Sequence, residues 1–294
     1  MMIKHNKIDG LFLTFLIILL SGCASKQAEI PKNVELEHLD AALICEVTGI
    51  QPGTPFWVAV WFELEEGWHI NWKNPGDAGL APTIAWDLPE GFNAGDILWP
   101  YPERLSTPPF ILFGYENKVL LPVLITPPNN LREGEKVKFA ANCDWVVCGD
   151  VCIPGSAKLE LELPVKNASL TADPKWESEF VSSRNESPLE NDLFNLNAVF
   201  SENFLTISVI PRTDKLLSIE SLVFFPDEQG IIDNAAEQKF SKSDGSFNVE
   251  IARDKIVRNQ PAVVKGLLMV KSRDWTPPKK GFNVEAALLK KSDS

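Results

Sequence analysis

Hydrophobic and polar residues alternate with a period of two along most of this chain. Phe56, Val58, Val60, Phe62 and Leu64 share one phase, and Trp57, Ala59, Trp61, Glu63 and Glu65 share the other. That pattern predicts a half-buried strand, here with an unusually aromatic outer face. The same alternation recurs at Thr83–Trp86, Val119–Ile125, Val137–Ala141 and Leu159–Leu163. It resumes at Leu196–Phe200, Leu205–Val209, Ser221–Phe225, Phe247–Ile251, Val263–Val270 and Phe282–Leu288. A sustained helical period is almost absent; one short helix is expected around Trp176–Ser183. Pro89, Gly91 and the proline-dense run from Trp99 to Pro109 punctuate the strands, the latter as an extended surface loop. Many short strands joined by turns predict an all-β chain built as an antiparallel β-sandwich, followed by a second, smaller β-sandwich.

One turn carries chemistry. Val137, Phe139 and Ala141 lead into Asn142-Cys143-Asp144-Trp145-Val146-Val147-Cys148-Gly149-Asp150-Val151-Cys152-Ile153-Pro154, and the strand Leu159–Leu163 follows. Cys148 and Cys152 therefore flank a tight hairpin turn, where a disulfide is geometrically accessible. Closing so short a loop removes little chain entropy, so a disulfide there has more use as a bond made and broken than as a staple. Two thiolates without a nearby histidine are an incomplete zinc set, and no metal is expected. A soft-metal site for Cu(I) is the alternative, and a purely structural staple is a third. The chain lacks the Met-rich or His-rich tract that would favour copper.

The N-terminus sets the compartment. Lys4 and Lys7 precede an apolar run from Leu11 to Leu20, then Leu20-Ser21-Gly22-Cys23. This has the form of a secretory signal, too short to span a bilayer comfortably. Leu-Ser-Gly-Cys also resembles the lipobox of bacterial lipoproteins. That resemblance implies a signal peptide over 1–23, an acylated Cys23 and a polar tether over 24–34. Ala24-Ser25 lack the Asp associated with inner-membrane retention, which favours the outer membrane. Export to an oxidising compartment leaves four cysteines able to pair. Cys45 shares the phase of Leu43 and Val47, and Cys143 that of Val137, Phe139 and Ala141. A buried structural Cys45–Cys143 bridge is the natural partition, with Cys143–Cys148 left open. The formal charge of -12 excludes a nucleic-acid partner and offers no basic face to anionic lipid.

His69 sits in Gly-Trp-His-x-x-Trp and reads as a packed, hydrogen-bonded histidine rather than a base. Asp144 and Asp150 flank the cysteines and would raise a nearby thiol pKa unless one accepts a proton during exchange. The nine tryptophans read as core or sheet cover.

Gly-Trp-His-x-x-Trp-x-Asn-Pro-Gly-Asp-x-Gly-Leu, Trp-Pro-x-Pro-Glu-Arg, Phe-Gly-Tyr-Glu and Trp-Val-Val-Cys-x-x-x-Cys-Ile-Pro occur here in that order. Together they resemble the periplasmic N-terminal portion of the DsbD/ScsB family of transmembrane disulfide reductases, strongly over Glu35–Val165 and more weakly beyond. The resemblance implies an immunoglobulin-like redox sandwich over 35–166, a linker over 167–190 and a second β-domain over 191–294 serving as scaffold or docking surface. It implies that Cys148 and Cys152 are the redox pair, with no cofactor. It also implies that Phe113 and Tyr115, which by themselves read most simply as core aromatics, belong to a cap loop shielding that pair, and it favours Cys152 as the partner-facing sulfur. Family members continue into membrane and thioredoxin-like domains, whereas this sequence ends at Ser294. The cysteine spacing is closer to ScsB-like members than to DsbD. A separate transmembrane disulfide reductase is therefore expected as electron donor. Periplasmic thioredoxin-like or other thiol proteins are the expected clients, with the lipid as the membrane contact.

Overall fold

In the first half of the chain β-branched and aromatic residues at alternate positions build two facing sheets. The computed structural model describes residues 34–213, 218–243, 245–257 and 260–289. The expected signal peptide and Cys23 lie outside them. One sheet comprises β1 (Val34–Leu36), β2 (Leu39–Cys45), β3 (Phe56–Leu64), β6 (Asn93–Ile97) and β9 (Lys118–Thr126), in the order β1-β2-β3-β9-β6. The facing sheet comprises β4 (His69–Gly76), β5 (Thr83–Asp87), β7 (Glu103–Thr107), β8 (Phe110–Glu116), β10 (Lys136–Cys148) and β11 (Cys152–Pro164). Its order is β11-β10-β4-β8-β7, with β5 pairing β10.

The inward phases of both sheets meet in one core. Leu43, Val58, Val60, Phe62, Leu121 and Val123 come from the first sheet, and Ile70, Trp72, Phe139, Trp145 and Val147 from the second. The aromatic outer face of β3 is not left to solvent. Trp61, with Ala42, Ile44, Ala59 and Leu120, is covered by Trp176 and Phe180, the latter on α1 (Glu177–Asn185). The stretch expected as a linker thus includes a helix packed on the first sheet.

The second half forms one continuous sheet. Its strands are β12 (Leu189–Glu190), β13 (Phe194–Phe200), β14 (Phe204–Pro211), β15 (Ile219–Pro226), β16 (Lys239–Ser243), β17 (Ser246–Ala252), β18 (Val263–Ser272) and β19 (Lys279–Leu288). They run in the order β15-β18-β19-β13-β14-β17-β16, with β12 beside β19. The sheet folds over so that Phe224 of β15 and Val249 of β17 share a core.

The described residues form one compact unit. The reason lies in β18, which is buried on both faces. Leu268 and Val270 enter the second core, while Leu267 and Met269 enter the first. Phe225 joins them there, edge-on to Phe113 at 5.0 Å and to Trp72 at 6.2 Å. Polar contacts tie the same seam. Asn74 Nδ2 donates to the Pro226 carbonyl at 2.7 Å, Gln229 Nε2 to that of Gly76 at 2.8 Å, and Asn234 Nδ2 to Asp77 Oδ1 at 2.8 Å. The Arg104 guanidinium donates to the Asn234 carbonyl.

Candidate functional site

β10 and β11 form a long hairpin paired without a break from Lys136↔Pro164 to Cys148↔Cys152. The two cysteines are direct cross-strand partners at its tip, with Cα atoms 4.1 Å apart, and they form a disulfide. The sulfurs have unequal surroundings: Cys148 is 2 % exposed, whereas Cys152 and its neighbour Val151 are exposed. Odd-numbered residues of β10 point into the core, so Cys148 lies on the outer face of its sheet with Val146 and Asp144. Asp144 and Asp150 are both exposed.

What backs the turn is aromatic. A Cβ on Gly149 would lie 3.2 Å from the Trp68 ring, so the absence of a side chain lets the turn lie close against the indole. The other face of Trp68 stacks on His38, with centroids 3.7 Å apart and planes 7° off parallel. His38 Nδ1 lies 2.7 Å from Glu65 Oε2. Trp68 was read from sequence only as packing; the glycine between the cysteines was the signal that something lies close beneath.

Next to Cys148, across the ladder, is His69. The pairings Cys152–Cys148, Cys148–His69 and His69–Glu116 place four side chains in one row on the outer face of the sheet. His69 is buried at 4 % exposure, as expected, but its Nε2 has no hydrogen-bond partner among the described residues. Burial lowers its pKa from the ordinary histidine value, keeping the ring neutral.

Phe113 and Tyr115 are placed differently from the expected cap. The segment Phe110–Glu116 is strand β8 in the middle of the sheet, and these two rings share the core phase at 1 % and 6 % exposure. Phe113 meets Phe225, and the Tyr115 hydroxyl donates to the Pro100 carbonyl at 2.9 Å. They point to the opposite face from Cys148 and are core residues, not a surface lid.

The expected Cys45–Cys143 bridge is also corrected: both are buried free thiols. A shared core phase says only that both sulfurs face inward: Cys45 ends β2 in one sheet and Cys143 lies within β10 in the other. Each sulfur has a local contact instead, Cys45 Sγ with the Val47 N–H at 3.5 Å and Cys143 Sγ with the Ala141 carbonyl at 4.0 Å. Burial pushes both thiols up from 9.0 to about 12, with the neighbouring charges of Glu46 and Asp144 adding to it. An unfolded chain ionises these thiols near their ordinary value, so it binds fewer protons than the folded chain above that pH. Stability contributed by the buried thiols is therefore whole below pH 9.0 and falls as pH rises towards about 12. Denaturant unfolding across that range should show this loss, and a Cys45→Ala, Cys143→Ala chain should lose less. Equal pH dependence in the two chains would instead indicate a bridge, which does not titrate.

Among the described residues no cluster of three or more His, Cys, Asp or Glu is arranged to hold a metal ion, and no helix is long and apolar enough to cross a membrane. Comparison with known proteins places this geometry. Residues 35–164 match the family described as thiol:disulfide interchange protein DsbD, N-terminal. The N-terminal periplasmic domain of ScsB from Proteus mirabilis superposes with a TM-score of 0.61 at 14 % identity, over 87 % of this chain and 97 % of that one, and shares its fold. A protein of unknown function from Porphyromonas gingivalis W83 aligns over 86 % of this chain and 100 % of its own at 13 % identity, but its TM-score of 0.26 carries no argument. No curated protein sequence matches the chain. The matched segment spans β2 through β11 and ends with the hairpin that bears Cys148 and Cys152; over residues 35–164 the chain carries a DsbD N-terminal-like domain.

Proposed function

We propose that the chain is a periplasmic thiol–disulfide exchange module, tethered through a lipid on Cys23, whose working pair is Cys148–Cys152. It takes electrons from a transmembrane disulfide reductase and passes them to thioredoxin-like or other thiol clients. The observation that carries the reading is the asymmetry of the pair: one exposed sulfur and one buried sulfur, joined across a short turn in a DsbD N-terminal domain. A donor thiolate attacks Cys152 Sγ, forming a mixed disulfide and breaking the bond to Cys148, which leaves with the electron pair. The donor's second thiolate then attacks its own sulfur and releases Cys152, so two electrons enter the module. Towards a client the steps reverse: Cys152 attacks the client disulfide, Cys148 attacks Cys152, and the reduced client departs.

The periplasmic location is supported by the family and by the ScsB domain. The deciding measurement is the reduction potential of Cys148–Cys152. A structural staple lies below about -300 mV, and an exchange disulfide well above it. A value below that limit would sink the proposal. Run on membrane-associated protein, the same preparation checks the tether, since a Cys23→Ser chain should no longer sediment with membranes.

A further inference from the structure

The exchange reading leaves one chemical problem, which two other cysteines of the same chain expose. When Cys152 is attacked, Cys148 must depart as a thiolate at a site only 2 % exposed. Cys45 and Cys143 are buried to a similar degree, and burial pushes each of them up to about 12. A thiol held there leaves slowly, because leaving ability falls as the leaving thiol's pKa rises. A buried leaving sulfur therefore needs a hydrogen-bond donor aimed at it.

We propose that His69 is that donor, its neutral imidazole hydrogen-bonding the Cys148 sulfur as it becomes a thiolate. The inference rests on the exchange reading and deepens it. Three observations support it. His69 is the direct cross-strand partner of Cys148, so their side chains stand beside one another on the same face. Its Nε2 is buried without a partner among the described residues while the disulfide is intact, and a buried polar atom left without a partner calls for an explanation. Asn71, two residues along the same face of β4, is also buried with both amide atoms unpartnered, so His69 is not the only unsatisfied polar side chain on that face.

No proton need change hands. The neutral ring offers one N–H to the thiolate, and the electron pair of the broken S–S bond stays on Cys148 until the sulfur attacks Cys152 again. The titratable groups around this row are Glu116 at its far end on β8, Asp144 on the outer face of β10, Asp150 in the turn, and His38 with Glu65 behind Trp68. The carboxylates among them oppose a thiolate, which leaves His69 as the group positioned to favour it.

The test uses the full chain with three substitutions. His69→Phe keeps a ring and removes both nitrogens, His69→Leu is the second choice if the larger ring is not accommodated, and His69→Gln retains a donor. Reduction of Cys148–Cys152 by glutathione should slow about tenfold in the Phe or Leu chain and recover in the Gln chain, with thermal unfolding followed in parallel. In reduced chains that also carry Cys152→Ser, the titration of Cys148, followed by thiolate absorbance, should move to higher pH in the Phe or Leu variant. An unchanged rate and titration would overturn the assignment of His69 while leaving the exchange reading intact. A wild-type disulfide that resists glutathione altogether would overturn both.

Discussion

A chain with Cys148 replaced by Ser is expected to accumulate a stable mixed disulfide through Cys152, whereas the Cys152→Ser chain should form one at least about tenfold more slowly. The difference follows from access. Cys152 begins the edge strand β11 and is exposed beside Val151, while Cys148 is buried between His69 and the hairpin. A partner sulfur must approach along the axis of the bond it breaks, and only the Cys152 end is open to one. Incubation of each variant with oxidised glutathione, read by intact mass against time, measures both rates. Similar rates would show that the turn opens readily enough to expose Cys148, and the order of attack proposed above would then fail. The same experiment bears on the aromatic backing of the turn. Trp68 lies against Gly149 and stacks on His38, so the turn has a backing of two rings.

Phe225→Ala is expected to cost about 3–5 kcal/mol, the range for removing a fully packed aromatic from a core. The residue belongs to β15 in the second half, yet its ring lies edge-on to Phe113 and Trp72 in the first core. Its loss therefore reaches both halves, and it removes the partner that keeps Phe113 packed. Urea unfolding followed by tryptophan fluorescence and by far-ultraviolet circular dichroism should show one shifted transition seen alike by both probes. Two separated transitions, with the first half unmoved, would mean that the halves fold independently and that the seam contributes little. A companion Phe113→Ala chain should resemble Phe225→Ala in stability and leave the reduction rate of Cys148–Cys152 near that of the parent, because that ring points away from the disulfide.

Much of this molecule is written locally. The alternation at Phe56–Leu64 corresponds to β3, the hairpin around Cys148 and Cys152 to β10 and β11, and the short helix expected at Trp176–Ser183 to α1. Period-2 patterning suffices for these because each side chain's choice between core and solvent is made within its own strand. The ordered motifs from Gly67 to Pro154 likewise point to the family whose model matches residues 35–164, since they record a particular set of turns and neighbours. What alternation cannot state is what lies opposite a buried face. Cys45 and Cys143 share a core phase, yet they sit on different sheets as separate free thiols. The family resemblance makes Phe113 and Tyr115 a lid, but their strand is central, and Phe225, more than 100 positions away, packs on Phe113. His69 shows the same limit at the site itself. Its burial was legible from Gly-Trp-His, whereas its place beside Cys148 depends on the register between β4 and β10, which is set by packing of the whole sheet. The sequence alone thus determined many of the strands, their inward faces and the turn that bears the disulfide, whereas β7 and β8 fall where it predicted loop. The tertiary structure decided which sulfurs meet, which rings are core and which imidazole stands beside the buried cysteine, because each of those depends on contacts between segments distant in the chain.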